Sequence, residues 1–379
     1  MPRRSDQGPD GARYRAAPRY TIVAPRDLPR AVASRFQLLD AVPDATAVLL
    51  PRDGTAAGAR ALTTETASLI RSLRAPRRLE AGDGGARPAI PQMVLDGVLE
   101  VECAGEFVSG PAAHPVWFDG APPHAASRHA ALSQDAVRHG EALGVGGLEL
   151  QHRLYQFNSR PATPEWRHRL GGDPAVASYL RAATSSPRGL VHTAEPAWHY
   201  WRRRARHRAR GRRSPALKLY VSPGIEGLPE ALDAALTLLQ SVTGMVAVKA
   251  ARDVYGLMRP DSLVAYFTDR AALDQAATHL AAALAGASPQ GVPFTAECGC
   301  DGLLSWATDP PADSASLDWT GDSSWRAWIT GRLASSLSAA ASRPARVPGW
   351  VFALDRLSLD GVDPETWTPS ALPWAGQTG

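Results

Sequence analysis

The stretch Leu217-Lys-Leu-Tyr-Val-Ser222 opens the part of the chain that decides the fold. Two more strand-like segments follow it, Met245-Val-Ala-Val-Lys-Ala250 and Ser262-Leu-Val-Ala-Tyr-Phe267. Segments with the apolar spacing of helices come after the first and the third, at residues 228–239 and 271–284. Strands and helices that alternate in this way predict a sheet backed by helices. We therefore expect an α+β fold whose C-terminal part is a mixed sheet backed by helices.

The N-terminal third of the chain predicts a smaller domain of its own. An amphipathic helix is expected over residues 61–74, with Thr63 as its N-cap. A hairpin is expected over residues 99–110, because two strand-like runs flank a turn at Ala104-Gly105. A helix followed by a hairpin is typical of a winged-helix module, which we place at residues 19–112.

Composition sets the remaining domain boundaries. Residues 1–18 are polar and rich in Gly, Pro and Arg, so we expect them to be disordered. Residues 111–127 are rich in Pro, His and Gly and separate the two domains. A helical segment follows over about residues 132–183, and the catalytic domain is expected to span residues 128–379. Its last strand is predicted at Val351-Phe-Ala-Leu-Asp355.

Two residues stand out as candidates for chemistry. The chain has 41 basic residues, of which only Lys218 and Lys249 are lysines. Arginine cannot be deprotonated in a protein, whereas burial lowers the pKa of a lysine amine and allows it to act as a general base. Each lysine lies between apolar neighbours in a predicted strand, so it points to the face opposite them. Pairing of the two strands would bring both amines to one face; a solvated face is the alternative.

The loop after Lys249 is the densest group of polar side chains. Arg252 and Arg259 are candidates to bind a phosphate or a carboxylate through their guanidinium forks. Asp261 and Tyr255 would support them, and an Arg/Asp pair that only bridges the loop is the alternative. His199 precedes an arginine-rich run and is a candidate general acid; a lone surface histidine is its alternative.

Several classes of function are excluded or left open by the rest of the sequence. Eight arginines lie within residues 201–213, which fits a solvated linker, a site for an acidic or phosphorylated peptide, or a nucleic-acid site. Cys298-Gly-Cys300 lacks the spacing of a zinc site, and no nucleotide-binding motif is present. We therefore expect no zinc site and no bound nucleotide. No apolar run suggests a membrane span or a signal peptide, so a cytoplasmic location is expected.

Short motifs follow one another in a recognisable order through residues 130–340. They are Leu154-Tyr155, Lys218-Leu-Tyr-Val221, Lys249, Arg259-Pro-Asp261, Val264-Ala-Tyr266, Phe294-Thr295 and Ser305-Trp306. This order resembles the Hop-A type III effector family. Actinobacterial members of that family are similar to the phosphothreonine and phosphoserine lyases of class V lanthipeptide pathways. The arginine run and the segment from Trp350 to Trp374 have no counterpart in the pattern.

The resemblance implies a carbon–oxygen lyase that eliminates phosphate from phosphorylated Ser or Thr of a precursor peptide. The catalytic candidates are then Lys218, Lys249, His199 and Tyr220, with Arg252 and Arg259 around the phosphate. No metal or organic cofactor is implied.

The N-terminal module is similar to the leader-peptide recognition elements of peptide-modifying enzymes. The expected partners are therefore a precursor peptide, whose leader binds this module, and a kinase that phosphorylates the peptide. We expect neither a membrane nor a nucleic acid as partner. Two other functions stay open: a cyclase that acts on dehydrated peptide, as in thiopeptide maturation, and a non-catalytic adaptor that binds a peptide or a nucleic acid.

Overall fold

The computed structural model describes residues 11–30, 32–33, 45–53, 59–79, 90–181, 189–203, 217–239, 241–299, 301–310, 324–342 and 346–369. The strands found there are β1 (Arg13–Ala16), β2 (Tyr20–Val23), β3 (Ala45–Pro51), β4 (Arg60–Thr63), β5 (Arg77–Arg78), β6 (Leu99–Cys103), β7 (Glu106–Val108), β8 (Leu190–Ala194), β9 (Trp198–Arg203), β10 (Leu217–Val221), β11 (Met245–Ala251), β12 (Leu263–Phe267), β13 (Ala296–Cys298) and β14 (Leu304–Ala307).

The helices of the described residues are α1 (Thr64–Ser72), α2 (Ile90–Leu95), α3 (Arg128–Ala142), α4 (Gly147–Tyr155), α5 (Pro164–Arg169), α6 (Asp173–Tyr179), α7 (Leu228–Leu239), α8 (Val254–Leu257), α9 (Arg270–Ala283), α10 (Trp325–Ala341) and α11 (Gly349–Leu359). The α+β class expected from the sequence is confirmed. Within this part of the chain, no helix is both long and apolar enough to cross a bilayer.

The chain divides into two compact units. The first unit contains Met1–Pro123, Gly140–Gln151 and Pro310–Val362, and the second contains the remaining residues. The first unit holds a four-stranded sheet, in the order β5-β1-β6-β7, and a three-stranded sheet, in the order β2-β3-β4. Helices α1, α2 and α11 contribute to its core, which includes Leu73, Leu99 and Phe352.

The local predictions for the first unit are correct at two places. Thr63 caps α1, because its side-chain oxygen accepts a hydrogen bond from the backbone N–H of Thr66 at 3.2 Å. The hairpin β6–β7 turns at Ala104 and Gly105, whose φ angles are +50° and +85°. Positive φ at both central residues is what a tight two-residue hairpin turn requires, and glycine adopts it without strain.

At three places the structure differs from what the sequence predicts. Residues 1–18 were expected to be disordered, but Arg13–Ala16 is a strand, because Tyr14 is buried and the strand pairs with β5 and β6; residues 1–10 lie outside the described part. The strand expected at Val351–Asp355 is helix α11, which buries nearly all of its length. Helices α10 and α11 fall within the domain expected over residues 128–379, but in the structure they belong to the first unit.

A buried ion cluster stabilises the first unit. Asp96 accepts hydrogen bonds from Nε and Nη2 of Arg356 at 2.7 and 2.9 Å and from Nη1 of Arg60 at 2.8 Å. Burial alone would raise the pKa of Asp96, but Arg356 and Arg60 outweigh it and hold that pKa well below its usual range. Arg356 is only 4% exposed, so water cannot replace Asp96 as the partner of its charge.

Replacing Arg356 with leucine is expected to lower the free energy of unfolding by about 3–5 kcal/mol, because it removes a buried cation that pairs with both Asp96 and Asp360. The control is Arg13→Leu, which breaks a half-exposed pair with Glu102 and should cost at most about 1 kcal/mol. Urea titration monitored by tryptophan fluorescence measures both. Equal losses in the two variants would contradict a structural role for the cluster.

The second unit is built on a seven-stranded sheet, in the order β13-β14-β10-β12-β11-β9-β8, in which every neighbouring pair is antiparallel. The three predicted strands are β10, β11 and β12, in the centre of this sheet. Helices α7 and α9 cover one face and pack on Leu219, Val248 and Phe267. The hairpin β8–β9 was not predicted, and most of the arginine run after it lies outside the described residues.

Candidate functional site

The two lysines of the chain lie on the same face of the seven-stranded sheet. Lys218 in β10 lies opposite Tyr266 in β12, and Lys249 in β11 lies opposite Val264 in β12. Residues directly opposite each other in an antiparallel pair, and residues two apart along a strand, share a face. The two backbones are two strand spacings apart, about 10 Å, which is within reach of two lysine side chains.

We call this surface the lysine face. It is the face of the sheet opposite α7 and α9, and it carries Lys218, Tyr220, Lys249, Tyr266, Tyr200 and Trp198. The apolar residues that alternate with the lysines along the strands point into the helix-covered core. The alternation therefore places two cations among aromatic side chains.

The amine of Lys249 is buried against two aromatic rings, and it is this burial that favours its neutral form. Its Nζ is 4.0 Å from the centroid of the Trp198 ring and 5.6 Å from that of Tyr266. Burial lowers the pKa of Lys249 to about 8; Asp261 opposes this change, whereas Lys218 and Arg259 add to it. At pH 7 about one amine in ten is then neutral, far more than for a lysine in water. Lys249 can therefore accept a proton near neutral pH.

Arg259 is held beside Lys249 by a bidentate ion pair. Its Nε and Nη2 donate to the two carboxylate oxygens of Asp261 at 2.9 and 2.8 Å, and Nη2 also donates to the hydroxyl of Tyr155 at 3.0 Å. Asp261 is only 6% exposed. No described residue accepts a hydrogen bond from Nη1 of Arg259, so this end of the fork can bind an anion.

Lys218 completes the set of cations. Its side chain is buried, and its Nζ donates to Asp309 at 2.5 Å. Tyr266 lies directly across from it on β12. Burial raises the pKa of Tyr266, and the negative groups Asp309 and Asp261 raise it further, so the phenol keeps its proton. The lysine face thus combines one amine that can lose a proton, two fixed cations and a protonated hydroxyl.

His199 does not lie on the lysine face. It is opposite Ala250 in the register of β9 and β11, so it points to the other face, where its ring contacts His192 and Trp201. The alternation along β9 that brings Trp198 and Tyr200 to the lysines turns His199 away from them. The role expected for His199, a general acid beside the lysines, does not agree with this position.

Two other predicted residues are also separate from the lysines. Nη2 of Arg252 is paired with Asp173 at 2.5 Å, and its Nη1 donates to the backbone oxygen of Glu195 at 2.8 Å. Burial lowers the pKa of His199, and the nearby charges of His192 and Arg252 lower it further, so the Arg252 guanidinium lies near that histidine. Tyr255 lies in α8 and is 65% exposed to solvent. Of the loop residues predicted as phosphate ligands and supports, only Arg259 and Asp261 come together with Lys249.

Trp198 belongs to this site, although it is not among the residues that the sequence predicts for it. The signal that could have found it is the alternation in Trp198-His-Tyr-Trp201, which is typical of a strand with aromatic side chains on both faces. That pattern extends over only four residues before the arginine run, too short a stretch to predict a strand by itself. Tyr266 and Asp309 become recognisable only through the register of β10 with β12 and the end of β14.

Two substitutions of Trp198 are expected to change the pKa of Lys249 differently. Trp198→Ala admits water to the amine, which should raise that pKa from about 8 towards the ordinary value of 10.5. Trp198→Leu keeps an apolar cover and removes only the ring that favours the ammonium, so the pKa should stay at or below about 8. The ¹⁵Nζ shifts of lysine-labelled protein measure this cleanly, because only two side chains give signals. Identical titration in both variants would contradict the role of the ring.

Comparisons with known proteins give remote structural likenesses. No family model matches the chain, and no curated protein matches it. An effector protein from Pseudomonas syringae pv. tomato strain DC3000 aligns with a TM-score of 0.42 and 13% identity, over 64% of this chain and 99% of that one. An effector from Pseudomonas syringae pv. syringae strain 61 gives 0.40 and 14%, over 64% and 97%.

A phosphothreonine lyase is also among the similar structures. It aligns with a TM-score of 0.29 and 14% identity, over 48% of this chain and 88% of that one. TM-scores and identities at this level assign neither a fold nor an activity to this chain. The chemistry has to follow from the arrangement of its own side chains.

Proposed function

We propose that the lysine face removes phosphate from phosphoserine or phosphothreonine in a peptide by β-elimination. The observation that carries this proposal is the amine of Lys249, whose pKa is lowered to about 8 beside the fixed cations Arg259 and Lys218. Elimination needs a base for the α-proton and positive charge around the leaving phosphate. The lysine face provides both within one set of neighbouring strands.

The step balances with the groups present. The neutral amine of Lys249 takes the proton from Cα of the phosphorylated residue, and the C–H electron pair forms the Cα=Cβ double bond. The bond between Cβ and the bridging oxygen breaks, and its electrons leave with the phosphate. Nη1 of Arg259 and the ammonium of Lys218 stabilise the charge that develops on the phosphate. The products are a dehydroamino acid and inorganic phosphate, and Lys249 returns its proton to water.

In this proposal a tyrosine hydroxyl donates the proton to the bridging oxygen. Tyr220 and Tyr266 both belong to the lysine face, and Tyr266 keeps its proton because burial raises its pKa. Either hydroxyl can donate a hydrogen bond to the leaving oxygen, and this replaces the role first expected for His199. Replacing each tyrosine singly with phenylalanine and measuring the rate of elimination shows which of the two hydroxyls is needed.

We further propose that the substrate is the precursor of a ribosomally made peptide of the lanthipeptide kind. A separate kinase would then supply its phosphate, and the first unit would bind its leader. The order of motifs from Leu154 to Trp306 supports this pathway. A kinase gene and a small precursor gene rich in Ser, Thr and Cys next to the coding sequence would support it further, and their absence would count against it.

Mass spectrometry of a synthetic phosphothreonine peptide tests the reaction. Elimination gives a product lighter by one H₃PO₄ that adds a thiol across its new double bond, whereas hydrolysis gives a product lighter by HPO₃ that does not. Incubation with an already dehydrated peptide is the second arm, because a cyclase would change that peptide instead. A protein that changes neither peptide would be an adaptor, and the proposal would fail.

A further inference from the structure

A groove in the first unit has the features of a peptide-binding site. It has a volume of about 540 Å³ and lies against β2, with Tyr20, Thr21 and Ile22 along one side. Leu49 and Ile70 lie beneath it and are almost fully buried. Among the described residues, four arginines also line it, namely Arg15, Arg52, Arg71 and Arg74, and no acidic residue does. We call it the arginine groove.

One edge of the strand beside the groove is unpaired in the part of the chain that the structure describes. Among the described residues, β2 pairs only with β3. The N–H of Arg52 donates to the oxygen of Arg19, and the register places Thr21 opposite Leu50. Hydrogen-bonded and non-hydrogen-bonded pairs alternate in an antiparallel ladder, so the N–H and C=O of Ile22 point away from β3. An edge of this kind can accept a further strand.

The charge of the groove is not neutralised within the described residues. Arg15 is paired with Glu100 at 2.6 Å. Arg52, Arg71 and Arg74 are exposed, and none of them forms an ion pair with a described residue. Three guanidinium groups without an ion-pair partner among the described residues lie beside a strand edge that no described strand covers. They favour a ligand that has both a backbone to pair and negative side chains to contact the arginines.

We propose that the arginine groove binds an extended, acidic peptide segment, which adds as a strand to the edge of β2. Side chains of an added strand alternate between its two faces, so apolar residues would contact the half-buried Tyr20 and Ile22 while acidic residues reach the arginines. In the proposed pathway this segment would belong to the leader of the precursor. The binding itself does not rest on the elimination reaction, because it needs no phosphate.

Fluorescence anisotropy with the full chain tests the proposal. The probe is a fluorescein-labelled ten-residue peptide of alternating valine and glutamate. Matched peptides of valine with lysine and of valine with serine are the controls. We expect binding of the acidic peptide alone, at least about tenfold tighter than either control and weaker as salt rises. Equal binding of the three peptides, or none, would overturn the proposal. Displacement of the acidic peptide by an equal concentration of a single-stranded oligonucleotide would indicate a nucleic-acid site instead. That result would also overturn the proposal.

Matched double variants locate the binding. Arg71→Glu with Arg74→Glu is expected to weaken binding at least about tenfold. Arg26→Glu with Arg30→Glu makes the same change of charge at exposed positions outside the groove and should leave binding unchanged. Amide exchange of residues 20–24 should slow in the complex if a strand is added. Equal binding by both double variants, or unchanged exchange, would contradict strand addition in this groove. Because the probe carries no phosphate, its binding can be measured whether or not the protein catalyses phosphate elimination.

Discussion

Lys249→Arg is expected to lower the rate of phosphate elimination by about 10²–10⁴-fold, the contribution of a well-placed general base. Arginine keeps the positive charge but cannot supply a neutral amine. Lys249 is the lysine whose pKa burial lowers to about 8, with its Nζ 4.0 Å from the Trp198 ring. The measurement is kcat/KM for a phosphothreonine peptide, followed by release of inorganic phosphate.

The matched control is the same substitution at the other lysine. Lys218 is paired with Asp309, and in this account it serves as a cation. Lys218→Arg keeps the positive charge beside the phosphate. It should therefore lower kcat/KM much less than Lys249→Arg. Thermal unfolding of both variants checks that each one folds. Full activity in Lys249→Arg, or an equal loss in both, would remove Lys249 as the base.

Arg259→Gln is expected to lower kcat/KM by about 10²–10³-fold, the usual effect of deleting one donor to a developing oxyanion. It also changes the charge around the base. Arg259 lowers the pKa of Lys249, and Asp261 raises it. Without Arg259 the buried carboxylate of Asp261 loses its bidentate partner, so the pKa of Lys249 should rise above about 8. The pH dependence of the remaining activity should shift to higher pH accordingly.

The control for Arg259 is Arg252→Gln. The sequence pattern predicts both arginines as phosphate ligands, but Arg252 is paired with Asp173 and the backbone of Glu195. We expect a loss of less than about tenfold for Arg252→Gln, in line with a partly exposed structural ion pair. A larger loss for Arg252→Gln than for Arg259→Gln would mean that phosphate binds on the side of His199 rather than on the lysine face.

Alternation along the strands made much of the second unit predictable. Leu217 and Leu219 flank Lys218, and Val248 and Ala250 flank Lys249, so a two-residue period places each lysine opposite the helix-covered core. The N-cap at Thr63 was predictable for a similar local reason. In both cases the information lies within a few neighbouring residues.

Contacts between residues distant in sequence were not predictable in this way. Trp198 reaches Lys249 only because β9 pairs with β11, and the same register turns His199 to the opposite face. The segment Val351–Asp355 is apolar enough for a buried strand, and its helical state follows from packing in the first unit. A short apolar run is compatible with either element, and only the tertiary contacts decide between them.

The dependence of kcat/KM on pH tests the role of Lys249 most directly. The free enzyme must hold Lys249 neutral, so kcat/KM for a phosphothreonine peptide should rise about tenfold per pH unit below a pKa of about 8 and level off above it. The second ionisation of the substrate phosphate lies near pH 6 and is separate from this rise. A profile that is flat between pH 7 and pH 9 in the wild-type protein would contradict the assignment of Lys249 as the base.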